Sequence, residues 1–233
     1  MNIFKKIKAH YSGFRTKTKG MKAGEFVAFI KDYYLKDFIL FAAIFGTIIA
    51  IMVTSLININ TDVILYGVGV NMMLNDEGEK YITDDFFALH KTEGRQDIEY
   101  STVVISDIYS GEGDINATYY SGEGVVGQVA AKRLDYFMLN ELGFNYFASQ
   151  ELYMDLREIL TEDELKKYSD KIIYTQEENS DEMLPMAIDI TDTDFIKYNN
   201  IATERIYIAF AGNAPHKELV HEFFNYVLSY KHK

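Results

Sequence analysis

The chain contains no cysteine and only two prolines among its 233 residues. The absence of cysteine excludes disulfide bonds, thiol catalysis and thiolate metal sites. It also excludes the lipid-modified cysteine that tethers many bacterial surface proteins, so a surface location would need another kind of anchor. Two prolines are too few to form a proline-rich linker, and the sequence shows no long internal repeat.

Charge is missing from one long stretch, residues 38–57, which read FILFAAIFGTIIAIMVTSLI. As a helix, this stretch would be about 30 Å long, enough to cross the hydrocarbon core of a bilayer once. A cleaved signal peptide is the first alternative, but signal peptides have short leaders and apolar runs of roughly 7 to 15 residues. A buried helix of a soluble protein is the second, but a run that is apolar on every face needs a large core or lipid around it. The sequence therefore predicts an uncleaved transmembrane helix.

Positive charge is scarce outside the leader. Residues 1–37 carry nine Lys/Arg against three Asp/Glu, a net charge of +6, whereas residues 58–233 have a net charge of −18. An excess of Lys/Arg beside a spanning helix marks the cytoplasmic side. We therefore predict a cell-membrane protein with a cytoplasmic basic tail at 1–37, in contact with membrane lipid, and an extracytoplasmic domain at 62–233. A charge of −18 argues against nucleic acid as a partner, because that partner needs a basic face.

The segment after the apolar run, about 170 residues long, is large enough for one compact core. Strands are predicted at Asp62–Asn71, Asp97–Asp107, 115–120, Leu134–Leu139, Lys171–Thr175, Met183–Ile190 and Arg205–Ala211. Helices are predicted at Tyr81–His90 with Thr83 as its cap, at Val125–Arg133, at Glu141–Ser149, after a capping box formed by Thr161 and Glu164, and after Pro215. Strands that alternate with short helices indicate an α/β layered domain.

Gly122, Gly124 and Gly127 form a G-x-G-x-x-G pattern, with Glu141 19 residues after Gly122. In dinucleotide-binding folds, this pattern follows a buried first strand and an acid about 20 residues later binds the ribose. The preceding segment INATYY is too polar for such a strand. We interpret the glycines as a flexible loop after an edge strand, and we predict no cofactor.

Other motifs point to structure rather than to chemistry. Asp189, Asp192 and Asp194 lack the glycine of a calcium loop, and a helix start capped by Thr191 or Asp192 explains them more simply. His216 and His221 are five residues apart and do not share a helical face. Asp135 and Glu141 could act as acids in a cleft, but lone carboxylates are usually solvated. There is no G-x-S-x-G elbow either, so we predict neither a metal site nor a catalytic site, and no enzyme.

Two segments resemble the extracellular solute-binding proteins of ABC importers. The first segment is Val129–Leu160, in which the pair Ala130-Ala131 matches the family's helix end and Asp135 matches its strand start. Its residues 151–156 (ELYMDL) match the family's next motif, except that Glu151 stands where the family usually has Gly. Ala211–Leu228 is similar to the family's N-x-P-x-K return helix. The resemblance implies one periplasmic-binding-protein-like α/β lobe, about half the size of the two-lobed members, and it implies a solute as ligand.

Ligands of α/β sheets bind beyond the carboxyl ends of strands. This rule points to five ligand-binding candidates, each of which a turn or a helix cap would explain equally well: Asn71, Asp107, Asn140, Glu141 and Asp189. Our first hypothesis is a non-catalytic binding or sensing module, which a concave polar pocket at Asn71, Asn140 and Glu141 would favour. The second is an accessory or scaffold subunit with a membrane-protein partner, which a flat apolar patch would favour. The third is a hydrolase or nucleotide enzyme, which an acid–base pair in a cleft would favour.

Overall fold

The computed structural model describes residues 14, 16–59, 61–91, 94–107, 114–176, 182–201 and 204–232. Residues 1–13 of the predicted basic tail lie outside this range. The chain divides into two compact units, Met1–Asn60 and Thr61–Lys233.

The first unit contains one long helix, α1 (Ala23–Ile59). Within α1, Ile39–Leu56 has a mean hydropathy of 2.5, and none of this window is buried within the described part of the chain. By length and composition, α1 can cross a membrane, in agreement with the predicted span at 38–57. The helix begins well before that span, inside the segment predicted as the cytoplasmic tail.

The second unit is built on a mixed sheet of six strands in the order β2-β1-β3-β6-β5-β4. Strands β2, β1 and β3 run parallel to one another. Strand β6 is antiparallel to β3, β5 is antiparallel to β6, and β4 is antiparallel to β5. This arrangement confirms the α/β class, with a larger antiparallel part than alternating strands and helices would suggest. The strands are β1 (Asp62–Val70), β2 (Gln96–Val103), β3 (Tyr136–Asn140), β4 (Ile172–Gln176), β5 (Met183–Asp189) and β6 (Ile206–Phe210).

Helices cover both faces of this sheet. Successive residues of a strand point to opposite faces, and the two neighbours Tyr136 and Phe137 show what lies on each. Tyr136 packs on Phe223 of the last helix, with ring centroids 4.3 Å apart, and Phe137 packs on Phe147 at 5.8 Å. The helices are α2 (Asp76–Lys80), a π-helical turn (Tyr81–Asp85), α3 (Phe86–His90), α4 (Ile115–Ala130), α5 (Glu141–Ala148), a 3-10 turn (Leu156–Glu158), α6 (Glu162–Lys167), α7 (Asp194–Asn199) and α8 (Lys217–Ser229).

The predicted strand at 115–120 is wrong, because these residues form the first turns of α4. Asp114 caps this helix: its side chain accepts hydrogen bonds from the backbone N–H groups of Asn116 and Ala117. The buried residues of α4 are Thr118, Gly122, Val125 and Val129, which recur at helical spacing. The glycine pattern 122–127 therefore lies inside a helix, and its interpretation as a loop is wrong as well.

Two predicted helix caps are also wrong. Asn75 caps α2 by accepting from the N–H of Gly78, and Thr83 instead lies in the π-helical turn, where its hydroxyl donates to the Glu79 carbonyl. Thr193, rather than Thr191 or Asp192, caps α7. The capping box of Thr161 and Glu164 is confirmed at the start of α6.

Candidate functional site

The carboxyl ends of β1, β2, β3 and β5 and the amino end of β6 lie at the same end of the strands. We call this end of the sheet the upper edge. The strand directions require this, because β6 runs antiparallel to β3 and β5 runs antiparallel to β6. Asn140 pairs with Ile206 at this edge, and Asp189 pairs with Tyr207. The upper edge is therefore where the carboxyl-end rule for ligands applies.

Asn71 is the first residue after β1, and its backbone adopts the left-handed conformation with φ of 54°. Its side-chain Oδ1 accepts from the Ile105 N–H at 2.8 Å. Its Nδ2 donates to the Ile105 carbonyl at 2.7 Å and to Oδ1 of Asn140 at 3.2 Å. Because both N–H groups of the amide are in use, Asn71 joins the chain after β2 to the ends of β1 and β3.

Asn140 ends β3 and caps α5, and the residue is buried, with 5% of its surface exposed. Its Oδ1 accepts from the Gly143 N–H at 2.9 Å, and its Nδ2 donates to the carboxylate of Glu204. A side chain added at Gly143 would place its Cβ 2.6 Å from Val70, so the helix start packs directly on β1. Asn140 thus fixes α5, β1 and the segment before β6 relative to one another.

An open groove of about 460 Å³ lies beside this hydrogen-bonded network. It holds two carboxylates, one guanidinium and two amides, so its lining is polar and carries both signs of charge. Such a lining can bind a small polar molecule by hydrogen bonds and ion pairs. The lining residues are Asn140, Glu141, Leu142, Asn145, Glu204 and Arg205.

The pKa of the Tyr207 hydroxyl, on β6, depends on the charges at the upper edge. Burial raises the pKa of its hydroxyl, and the nearby carboxylates of Glu141 and Asp189 raise it as well, whereas a hydrogen bond with Arg205 opposes the change. The phenol therefore stays protonated at neutral pH, and the carboxylates of Glu141 and Asp189 both act on it.

The structure places the five predicted ligand residues in different settings. Asn140 and Glu141 line the groove, and Asn71 is bonded directly behind Asn140. Asp189 lies further along the upper edge, where its carboxylate accepts from the Thr191 N–H at 2.9 Å and forms a turn. Asp107 is exposed, four residues after the end of β2, and does not line the groove.

Sequence reasoning missed Glu204 and Arg205, which come just before β6. They reach the upper edge because β6 is antiparallel, so its amino end lies beside the carboxyl end of β3. The available signal was a charged pair directly before a buried strand. That signal becomes useful only once the direction of β6 is known.

The opposite edge of the sheet, which we call the lower edge, contains a buried carboxylate. Asp135 is fully buried, which corrects the expectation of a solvated acid. It accepts from the backbone N–H of Tyr66 at 2.9 Å and of His216 at 3.1 Å, and its Oδ2 lies 3.1 Å from Nδ1 of His216. Burial raises the pKa of Asp135, and these hydrogen bonds oppose the rise. The pair ties β1, β3 and the start of α8 together.

Within the described residues, no group of three or more His, Cys, Asp or Glu side chains is placed to hold a metal ion. Asp192 and Asp194 are two of the three acids considered above as calcium ligands. Asp192 forms an ion pair with Lys197, and Asp194 forms one with Lys231.

No family model matches the chain, and neither a curated protein nor a solved structure matches it. The resemblance to solute-binding proteins of ABC importers therefore stays a prediction.

Proposed function

We propose that the protein is a single-pass membrane protein whose extracytoplasmic α/β domain binds a small polar solute in the groove of the upper edge. The domain acts as a non-catalytic binding or sensing module. The observation that supports this most is the groove itself, which gathers carboxylate, guanidinium and amide groups from two separate segments of the chain. The resemblance to one lobe of a solute-binding protein supports the same function.

The charge pattern of the groove favours a particular class of solute. Glu141 and Glu204 can bind an ammonium group, and Arg205 can bind a carboxylate through its fork of donors. A ligand that carries both groups, such as an amino acid or a short peptide, would form ion pairs with the carboxylates and with the guanidinium of the groove. A neutral sugar could accept or donate hydrogen bonds here but would leave both signs of charge in the groove without an ion-pair partner.

The proposal is tested by thermal unfolding of the intact protein in detergent against a panel of amino acids, short peptides and sugars. A ligand present at a hundred times its dissociation constant stabilises the folded state by about 2.7 kcal/mol. We expect at least one amino acid or peptide to raise the midpoint, and we expect Arg205→Ala to abolish that rise. Lys166→Ala, an exposed lysine of α6 outside the groove, serves as the matched control. If no member of the panel raises the midpoint, or if the rise persists in Arg205→Ala, the proposal is wrong.

A second candidate, the accessory or scaffold subunit, is favoured by exposed apolar side chains on the start of α4 and on the chain after β2, two segments joined by the hydrogen bond from the Ser106 N–H to the Thr118 hydroxyl. Val104 after β2 is 66% exposed, and Ile115, Tyr119 and Tyr120 in the first turns of α4 are 60%, 56% and 74% exposed. Exposed apolar clusters often mark protein interfaces. A pull-down of the intact protein from membranes decides between the two functions: a stoichiometric membrane-protein partner, lost in Tyr120→Ser, together with no ligand shift, would replace the first proposal with the second.

A further inference from the structure

Two exposed apolar side chains lie opposite each other near the upper edge. Met73 comes three residues after β1, and its carbonyl accepts from the Ile201 N–H at 2.8 Å. The antiparallel β-bridge between the next residues, Leu74 and Asn200, places Met73 directly opposite Ile201. Opposite residues of such a pair project to the same face. Met73 is 62% exposed and Ile201 is 63% exposed, and we call this pair the apolar ledge.

The backbone beneath the apolar ledge is held in place by its neighbours. Leu74 is buried in the core, on the side of the chain away from the ledge. The N–H of Asn75 donates to the Asn199 carbonyl at 2.8 Å, and its Nδ2 donates to the Tyr198 carbonyl at 3.0 Å. The ledge is therefore a preformed surface, and a ligand that packs on it has little backbone to order.

Both chain segments of the ledge continue directly into the groove of the upper edge. Asn71, two residues before Met73, donates to Oδ1 of Asn140, a groove residue, at 3.2 Å. Glu204, three residues after Ile201, also lines the groove. Because a chain advances at most about 3.6 Å per residue, the Cα atom of Met73 lies within about 7 Å of that of Asn71, and the Cα atom of Ile201 within about 11 Å of that of Glu204. The ledge therefore borders the groove, within reach of a side chain or of one further residue of a bound solute.

The groove and the ledge differ in chemistry and together describe one kind of ligand. The groove presents both signs of charge, whereas the ledge presents only apolar side chains. Exposed apolar surface gains free energy when an apolar group covers it. We propose that the solute is a zwitterion with an apolar side chain, and that this side chain packs on Met73 and Ile201. This inference rests on the proposed function, because the groove must hold the ammonium and carboxylate groups of the same ligand.

Isothermal titration calorimetry of the intact protein in detergent gives the dissociation constants of leucine, leucyl-leucine, serine and seryl-serine. We expect at least one leucine probe to bind about tenfold more tightly than its serine counterpart, because small differences in apolar volume change affinity by this order. In Met73→Ser/Ile201→Ser, the preference should fall to about twofold or less, while the serine probes bind as before. Leu89→Ser changes an exposed leucine of α3 outside the groove. It is the matched control and should leave every constant unchanged.

The outcomes separate the ledge from the groove. Equal constants for matched leucine and serine probes, or a leucine preference that persists in the double variant, would overturn the role of the ledge and leave the groove of the proposed function standing. Absence of binding by all four probes, or binding that Arg205→Ala does not weaken, would contradict the groove and the inference with it. The leucine probe that shows the preference identifies the ligand as a free amino acid or as a peptide.

The serine probes also report whether the double variant is folded. If that variant binds neither kind of probe, Ile201→Thr decides, because threonine keeps a β-branched side chain at this position. We expect Ile201→Thr to weaken the binding of the leucine probe about threefold and to leave the serine probe unchanged. An unchanged leucine constant in this variant would overturn the inference.

Discussion

At the scale of single residues, the upper edge is organised by two asparagines whose amides are already bonded to protein. Asn71 donates both of its N–H groups, and the side-chain oxygen of Asn140 accepts from Asn71 and from the Gly143 N–H at the start of α5. Their role is to hold the groove in shape, while Glu141, Glu204, Arg205 and Asn145 present the groups that a ligand would meet. The same residue type therefore has two roles within one small site.

This division of roles predicts the stability of two matched variants. Asn71→Ala removes three side-chain hydrogen bonds and replaces a residue that tolerates the left-handed conformation. We expect it to lower the free energy of unfolding by about 2–3 kcal/mol. Asn145→Ala changes an exposed side chain of the groove and should cost less than about 0.5 kcal/mol.

Denaturant unfolding of the intact protein in detergent, followed by tyrosine fluorescence, measures both values. The chain has 18 tyrosines and no tryptophan, so the tyrosine signal is not masked. Equal losses in the two variants would contradict the assignment of Asn71 to the framework and of Asn145 to the ligand surface.

At the scale of elements, the G-x-G-x-x-G pattern of α4 lies inside a helix, where its glycines have a different role from those of a phosphate-binding loop. Gly122 faces α5, where an added Cβ would come within 2.3 Å of the Tyr146 hydroxyl. Gly124 and Gly127 meet nothing within 4 Å. The first glycine allows close packing of two helices, whereas the other two occupy exposed helical positions with no contact that requires glycine.

Alanine substitutions distinguish this helix from a phosphate-binding loop. Gly124→Ala and Gly127→Ala should each raise the free energy of unfolding by about 0.5–1 kcal/mol, because alanine favours a helix interior over glycine. Gly122→Ala should lower it, because Tyr146 must move. The same unfolding measurement applies, and a loss of stability in all three variants would contradict the helical assignment of 122–127.

Much of the element order was predictable because the central strands and the helices beside them carry strong patterns. The strand β1, the capping box of α6 and the helix after Pro215 were all evident from the sequence. The start of α4 was not, because INATYY alternates like a strand over six residues and the cap Asp114 comes directly before it. The groove was half predictable: Asn140 and Glu141 follow β3 in sequence, but Glu204 and Arg205 join them only through the antiparallel pairing of β6.

In the molecule as a whole, the predicted membrane topology depends on α1 and on the charge that flanks it. The helix α1 is long and apolar enough to span a membrane, and the tail before it is basic while the domain after it is strongly acidic. The proposed display of the domain outside the cell requires that this helix is an anchor. Both the apolar run and the change in charge across it were evident in the sequence.

The absence of cysteine allows the most direct test, which is cysteine labelling on intact cells. Ser169→Cys introduces one thiol on the exposed surface of the α/β domain, and Lys19→Cys introduces one in the basic segment before α1. A membrane-impermeant maleimide should label Ser169→Cys on whole cells and should label Lys19→Cys only after lysis. Labelling of Ser169→Cys only after lysis, or labelling of Lys19→Cys on whole cells, would contradict the central claim that α1 anchors the domain outside the cell.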